Sequence, residues 1–238
     1  MIKPTIGIIG QGSFGSFMAE KLGEKLETHV YARGDDDETL RQVASCDYLM
    51  LAVPLGAYPE VLEMLAPVLS PTTTLIDVCS VKLTAVAAIR QVLPYQKLVA
   101  THPLFGPESA ADGVAGHTLV LCPEVSDSHQ YQRVSALGQM LGMRVIRMSA
   151  DDHDREMATV QGLTFFIARA IDQFGVGSQI LSTPSFQKLR ALADLDSHHS
   201  EELFMSIQKG NEYGAEARRR FVEIMDELDS SIVDDRAS

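Results

Sequence analysis

Thr5-Ile6-Gly7-Ile8-Ile9-Gly10-Gln11-Gly12-Ser13-Phe14-Gly15 is a short apolar run that stops at three glycines spaced G-x-G-x-x-G. It reads as a first strand feeding a phosphate-binding turn. In such a turn Gly10 permits the tight bend, Gly12 lets the backbone approach a pyrophosphate, and Gly15 lets the next helix pack close to the strand. The helix expected from about Ser13 to Lys25 then aims its positive N-terminal end at the phosphates. The spacing alone is a weak signal, because a glycine-rich βα turn without ligand can carry it. Its place directly after an apolar run and directly before an amphipathic one gives it weight. Gln11, Ser13 and Phe14 complete the candidate cofactor loop, joined by Val53 and Pro54 at the end of the third predicted strand.

Outward from that loop, short Val/Ile/Leu-rich runs alternate with amphipathic segments as far as Met148, the pattern of βαβ units on a parallel sheet covered on both faces. The strands are expected at Thr5–Ile9, Thr28–Ala32, Tyr48–Val53, Thr74–Val78, Lys97–Thr101, Thr118–Cys122 and Arg144–Arg147. Helices are expected at Ser13–Lys25, Asp37–Ala44, Tyr58–Leu69, Leu83–Leu93 and Ser128–Leu141. Beyond Met148 no strand-like run follows, and Met157, Val160, Leu163, Ile167, Ile171 and Phe174 recur at helical spacing. The fold class is therefore α/β: a Rossmann-type dinucleotide-binding domain over residues 1–149, then a smaller all-helical domain over 150–238. A first long helix is expected from Asp151, with Asp151 or Asp152 as its cap, to Phe174, ended by Gly175 and Gly177. Pro184 opens a second helix, Ser200 to Leu228 forms a third, and Val233 to Ser238 reads as a frayed tail.

The chain has 238 residues and a net charge of -12 without a basic run, which argues against a nucleic-acid or anionic-membrane partner and for small-molecule ligands. Its three cysteines are scattered, so neither a disulfide framework nor a metal site is indicated. A cytoplasmic protein is expected, with no apolar run near the ~20 residues of a membrane span and no room for a signal peptide before the first strand. About 90 helical residues make a thin core, so a homodimer through the helical domain is expected.

At the end of the second strand an acidic residue would hold the ribose of NAD, whereas an arginine suits the phosphate of NADP. Here the sequence is Val30-Tyr31-Ala32-Arg33, which favours NADP through Arg33, with NAD possible because Asp35, Asp36 and Asp37 follow at once.

Ligands of open α/β sheets bind beyond the carboxyl ends of the strands. His102, placed just past a strand end and held by Pro103, suits acid–base work near neutral pH. His29, His117, His129, His198 and His199 read as solvated. Ser80 stands past the fourth strand's end, where the residues alone read as a helix N-cap before Val81-Lys82-Leu83.

Asp77-x-x-Ser80-x-Lys82, the run His102-Pro103-Leu104-Phe105-Gly106-Pro107-Glu108-Ser109, and His153-Asp154 resemble the prephenate and arogenate dehydrogenases. The resemblance covers nearly the whole chain and implies a Rossmann domain followed by a helical dimerisation domain. It implies oxidative decarboxylation of a cyclohexadienol, with His102 drawing the proton from the ring hydroxyl as hydride leaves and Ser80 holding that hydroxyl. It places His153-Asp154 at a hinge, as a cap or as support for the site. Arogenate carries an ammonium where prephenate carries a keto group, so Asp112, which falls where the arogenate branch has an acid, favours arogenate, though Asp112-Gly113 is also an ordinary turn pair. Gln161 and Thr183 match polar positions of that branch and are candidates for the substrate carboxylates. The chain departs from the family pattern at Phe165, where many members have histidine, and at Ala191, where prephenate-using members tend to have arginine, with Arg190 one residue off. Arg218-Arg219-Arg220 reads as a solvated helix face. The alternatives are a prephenate dehydrogenase using NAD or NADP, and a non-catalytic dinucleotide-sensing protein.

Overall fold

Residues 3–124, 128–176, 179–197 and 200–234 are described in the computed structural model of the protein. The first strand, β1 (Thr5–Ile9), pairs in parallel with β2 (Glu27–Tyr31) on one side and β3 (Tyr48–Leu51) on the other. The sheet continues through β4 (Thr74–Asp77), β5 (Lys97–Pro103), β6 (Thr118–Cys122) and β7 (Arg144–Arg147) in the order β2-β1-β3-β4-β5-β6-β7. The chain reverses its direction of winding between β1 and β3, and the crevice beyond the carboxyl ends at such a reversal is where this class of sheet takes its ligand.

The central strands β3 and β4 are buried along their whole length, because helices cover both faces. On one face α1 (Ser13–Gly23) and α5 (His129–Met140) place Met18, Leu22 and Val134 against Ile6, Ile8 and Met50. On the other, α2 (Asp37–Ala44), α3 (Tyr58–Leu65) and α4 (Leu83–Val92) place Leu40, Val43, Leu62, Leu65 and Ile89 against Ile9, Leu49 and Leu75.

Two expectations about the sheet need correction. β6 runs antiparallel to β5, because Leu104 to His117 forms turns and no crossover helix. That pairing also carries β5 past Thr101 to Pro103, so His102 lies within the strand, opposite Val120.

The chain divides into two compact units, Met1–His153 and Asp154–Ser238, and the division falls inside α6 (Ala150–Met157). The cap of α6 is Ser149 and neither aspartate: its hydroxyl oxygen accepts from the Asp152 N–H at 3.0 Å while its own hydrogen goes to the Asp152 carboxylate at 2.6 Å. The expected single helix to Phe174 is interrupted by a π-helical turn, Ala158–Leu163, before α7 (Thr164–Phe174), which ends on Gly175 in the left-handed conformation. Gly177 lies outside the described residues, as do His198, His199 and the last four residues of the tail.

After α8 (Pro184–Ser197), the expected third helix is two, α9 (Glu201–Gly210) and α10 (Gly214–Asp234). Asn211 breaks it: its side-chain oxygen accepts from the Tyr213 N–H at 2.9 Å and its amide donates to the Asp154 carbonyl at 2.7 Å. No helix among the described residues is long and apolar enough to cross a membrane.

Candidate active site

The turn after β1 is built by its glycines. Gly10 has φ 110°, and a Cβ there would lie 2.4 Å from the Ala52 carbonyl oxygen. A Cβ on Gly15 would lie 2.1 Å from the Gly10 carbonyl oxygen, so α1 closes onto the strand end only because that side chain is absent. Gly12 is different in kind. As N-cap of α1 it provides no side-chain cap, and a Cβ on it would meet nothing within 4 Å. The first turn of α1 thus begins without a side-chain cap and with the helix dipole behind it, a setting that fits a pyrophosphate. The Ser16 hydroxyl steadies the loop by donating to the Gln11 carbonyl at 3.1 Å. Val53, just past the end of β3, borders it, with its Cγ1 2.9 Å from where a Gly10 Cβ would stand, and Pro54 follows it in the chain.

At the end of β2, Ala32-Arg33-Gly34-Asp35 forms a turn in which the Asp35 carboxylate returns to accept from the Ala32 N–H at 2.8 Å. Asp36 caps α2, accepting from the Thr39 N–H at 2.9 Å and its hydroxyl at 2.8 Å, and those bonds hold its carboxyl below its usual range. Two of the three aspartates are thus engaged with local backbone. Arg33 is left 83% exposed at the strand end, 3.4 Å from the Glu60 carboxylate.

Beneath the next strand ends lies a buried ionic cluster. Asp77, the last residue of β4, accepts from the Tyr58 hydroxyl, the Lys82 ammonium and the Cys79 N–H, the last at 3.0 Å. Lys82 also donates to the Thr101 carbonyl at 2.6 Å, and the Thr101 hydroxyl donates back to the Asp77 carbonyl at 2.8 Å. Asp77, Lys82 and Tyr58 are all wholly buried, and an ion pair so far from water persists only when its remaining donors and acceptors are also satisfied. Burial pushes the Tyr58 hydroxyl well up and the Cys79 thiol up to about 11, so both keep their protons at neutral pH. The cluster ties the loop that carries Ser80 to β5 one residue before His102. Ser80 stands two residues ahead of Lys82, which occupies the N-cap position of α4, so Ser80 is not that cap.

His102 is 4% exposed, and its Nδ1 lies 2.9 Å from Nε2 of His153, itself 1% exposed. Burial, followed by the His153 ring and the Lys82 ammonium, holds the His102 imidazole well below its ordinary range, so it is neutral at physiological pH. His153 lies inside α6 with its ring against His102. The loop after β5 folds back on the glycine turn, with the Phe105 ring 6.3 Å from Phe14, 6.4 Å from Phe17 and 5.1 Å from His117. His117 is thus half-buried against Phe105 and not simply solvated. The structure brings the glycine loop, Ser80 and His102 to one edge of one sheet.

Asp112 is exposed on a turn of that same loop, followed by Gly113 at φ 124°. The other two candidates belong to the helical unit. Gln161 lies half-buried within the π turn. Thr183 is exposed and caps α8, its hydroxyl oxygen accepting from the Phe186 N–H at 3.1 Å, with Pro184 in the first helical position. Phe165 is buried with Phe204 and Ile207 in the core of its unit, so the place of the family histidine is filled by apolar packing. Ala191 and Arg190 are both exposed on α8.

The sequence alone marks neither Tyr58 nor a site role for Lys82. An acid ending a strand with lysine five residues on is a local signal for the pair; nothing local marks a tyrosine 19 residues before Asp77 as its partner.

Residues 18–147 match the family described as prephenate dehydrogenase, nucleotide-binding domain. The chain belongs to the prephenate dehydrogenase family. Among curated relatives, it is 25% identical over 225 residues to arogenate dehydrogenase 2, chloroplastic, of Arabidopsis thaliana, a match covering 85% of this chain and 62% of that protein. It is 29% identical over 193 residues to the 4-amino-4-deoxyprephenate dehydrogenase of Streptomyces pristinaespiralis, covering 77% of this chain and 62% of that one. The chain thus spans less than two thirds of either relative. In fold it resembles the prephenate dehydrogenase from A. aeolicus crystallised with hydroxyphenyl propionate and NAD+, with a TM-score of 0.77 at 21% identity, covering 100% of this chain and 93% of that one. The matched residues run from within α1 to the end of β7 and include His102; β1 and the glycine loop lie ahead of them.

Proposed function

We propose that the chain is an NADP-dependent arogenate dehydrogenase that oxidatively decarboxylates arogenate to tyrosine. The observation that carries this reading is the buried, neutral His102 at the sheet edge that also holds the glycine loop. Its Nδ1 faces His153, which leaves Nε2 as the nitrogen for substrate. For Nε2 to accept a proton, Nδ1 must carry one and donate it to His153 Nε2, so His153 fixes the tautomer that makes His102 a base. His102 then takes the proton of the ring hydroxyl as negative charge builds on that oxygen, and Ser80 holds the same oxygen in place. The nicotinamide supplies the hydride acceptor when bound. The N–H groups of Gly12 to Gly15 would hold the dinucleotide's pyrophosphate, Val53 and Pro54 would border it, and Arg33 would take a 2′-phosphate with its planar fork. Loss of carbon dioxide makes the ring aromatic, so the step is effectively irreversible.

The choice of arogenate is supported by Asp112, whose carboxylate suits the substrate ammonium. Gln161 and Thr183 offer donors to the carboxylates, Thr183 through the hydroxyl hydrogen that its capping bond leaves free. A homodimer is supported by the exposed row Val222, Met225, Leu228 and Ile232 along α10. The test is the initial rate of nicotinamide reduction with arogenate and prephenate, each against NADP and NAD. Activity highest with arogenate and NADP, and moved towards prephenate by Asp112→Asn, is the expected result. Equal use of both substrates by wild type and variant would defeat the assignment of Asp112, and no reduction in any combination would favour a sensing protein.

A further inference from the structure

Gln161 lies inside the π turn Ala158–Leu163. A π turn is one inserted residue: its hydrogen bonds run from i to i+5, nearby carbonyls lose their usual donors, and an α-helix is favoured unless something else holds the insertion. Two side chains serve those carbonyls. Thr164 Oγ1 donates to the Val160 carbonyl at 2.8 Å, and Gln208 Nε2, reaching across from α9, donates to the Gly162 carbonyl at 2.7 Å. Gln208 is 6% exposed, and its amide is oriented from the other end. Arg218 Nη1, on α10, donates to Gln208 Oε1 at 2.7 Å and to its backbone carbonyl at 3.0 Å. Arg218 is thus half-buried and structural, whereas Arg219 and Arg220 remain on the solvated face. An amide whose two ends are held by partners from different helices has one orientation.

The geometry points to Gln208, oriented by Arg218, as the positioning residue that holds the π turn and so aims Gln161 at the substrate carboxylate, a role that rests on the reading of Gln161 given above. Closing the turn to an α-helix removes one residue of winding and swings one arm of the helix by about 100° relative to the other. That rotation would carry Gln161 away from its target.

The test uses the full chain and Gln208→Met, which removes the donor at similar volume. Hydrogen-exchange mass spectrometry of the segment 157–165 should show several-fold faster exchange in the variant, with the Rossmann unit unchanged. Steady-state kinetics should show the KM for the ring substrate raised about tenfold with kcat and the KM for NADP near wild type. The double variant with Gln161→Ala should be no worse than Gln161→Ala alone, since aiming an absent side chain changes nothing. Arg218→Met, partly exposed and better tolerated, should give the same pattern more weakly, and it decides the matter if Gln208→Met does not fold. Unchanged exchange in a folded variant, or additive effects on KM, would overturn the proposal. If Gln161→Ala itself leaves KM unchanged, the reading of Gln161 fails and takes the aiming role with it, while the exchange data still judge the hold on the π turn.

Discussion

His102 Nδ1 and His153 Nε2 lie 2.9 Å apart, on two side chains 51 residues apart in sequence and both buried. A bond between two imidazoles needs one donor and one acceptor, so the tautomers of the two rings are coupled. His153→Phe keeps the volume and removes the acceptor. We expect kcat to fall by roughly ten- to a hundredfold, with the KM for NADP unchanged, because the base loses its fixed tautomer. A variant with wild-type kcat would show that His153 serves packing alone.

The low affinity of His102 for a proton sets the pH dependence. The free enzyme's acid limb in kcat/KM is expected below 6.5, the ordinary histidine value, and activity should hold its plateau down through that pH. Stability follows by linkage. Below pH 6.5 the unfolded chain binds a proton at this residue that the folded chain refuses, so the contribution is full above 6.5 and is lost as the pH falls towards the depressed folded value. Melting temperatures at pH 7.5 and 5.5 should differ more for wild type than for His102→Asn.

The wholly buried pair Asp77–Lys82 is a structural commitment. Asp77→Asn leaves the Lys82 ammonium without its counter-charge and should destabilise by about 3–5 kcal/mol, or roughly 10 °C in the melting temperature. Tyr58→Phe removes only one donor to the carboxylate and should cost about 1.5–3 kcal/mol. Thermal melts of the two variants check the order, and equal stabilities would contradict it.

The glycines of the loop should separate folding from binding. Gly15→Ala puts a Cβ 2.1 Å from backbone and should lower both stability and NADP affinity. Gly12→Ala meets nothing within 4 Å of protein, so it should melt like wild type while NADP binding weakens by about tenfold, by analogy with lost backbone contacts to phosphate. Titration of protein fluorescence with NADP reads both. Arg33→Ala, in the same titration, should weaken NADP more than NAD.

The legible parts of the fold are those with local causes. β1, β6, β7 and α2 have the bounds that alternation and capping residues assign them, and the glycine turn is where its spacing puts it. The direction of β6 was not legible, because pairing sense depends on the path of Leu104 to His117 and not on the pattern within Thr118–Cys122. The π turn escaped for a related reason: Met157, Val160 and Leu163 keep near-helical spacing through it, and its stabilising donor Gln208 is far along the chain. Asn211 was a stop signal overlooked inside an otherwise amphipathic run. In the site, His102 and the cofactor loop were legible from strand ends, whereas the hold of Tyr58 on Asp77 and of His153 on His102 exists only in three dimensions.

As proposed, His102 acts as a neutral base on the ring hydroxyl, at the strand ends that also carry the glycine loop. The most direct measurement is the initial rate of NADP reduction by arogenate for His102→Asn against wild type, with NADP affinity measured in parallel. The expected result is a rate lowered by about 10²–10⁴-fold with unchanged NADP affinity. A variant that keeps its rate within a few-fold of wild type would contradict it.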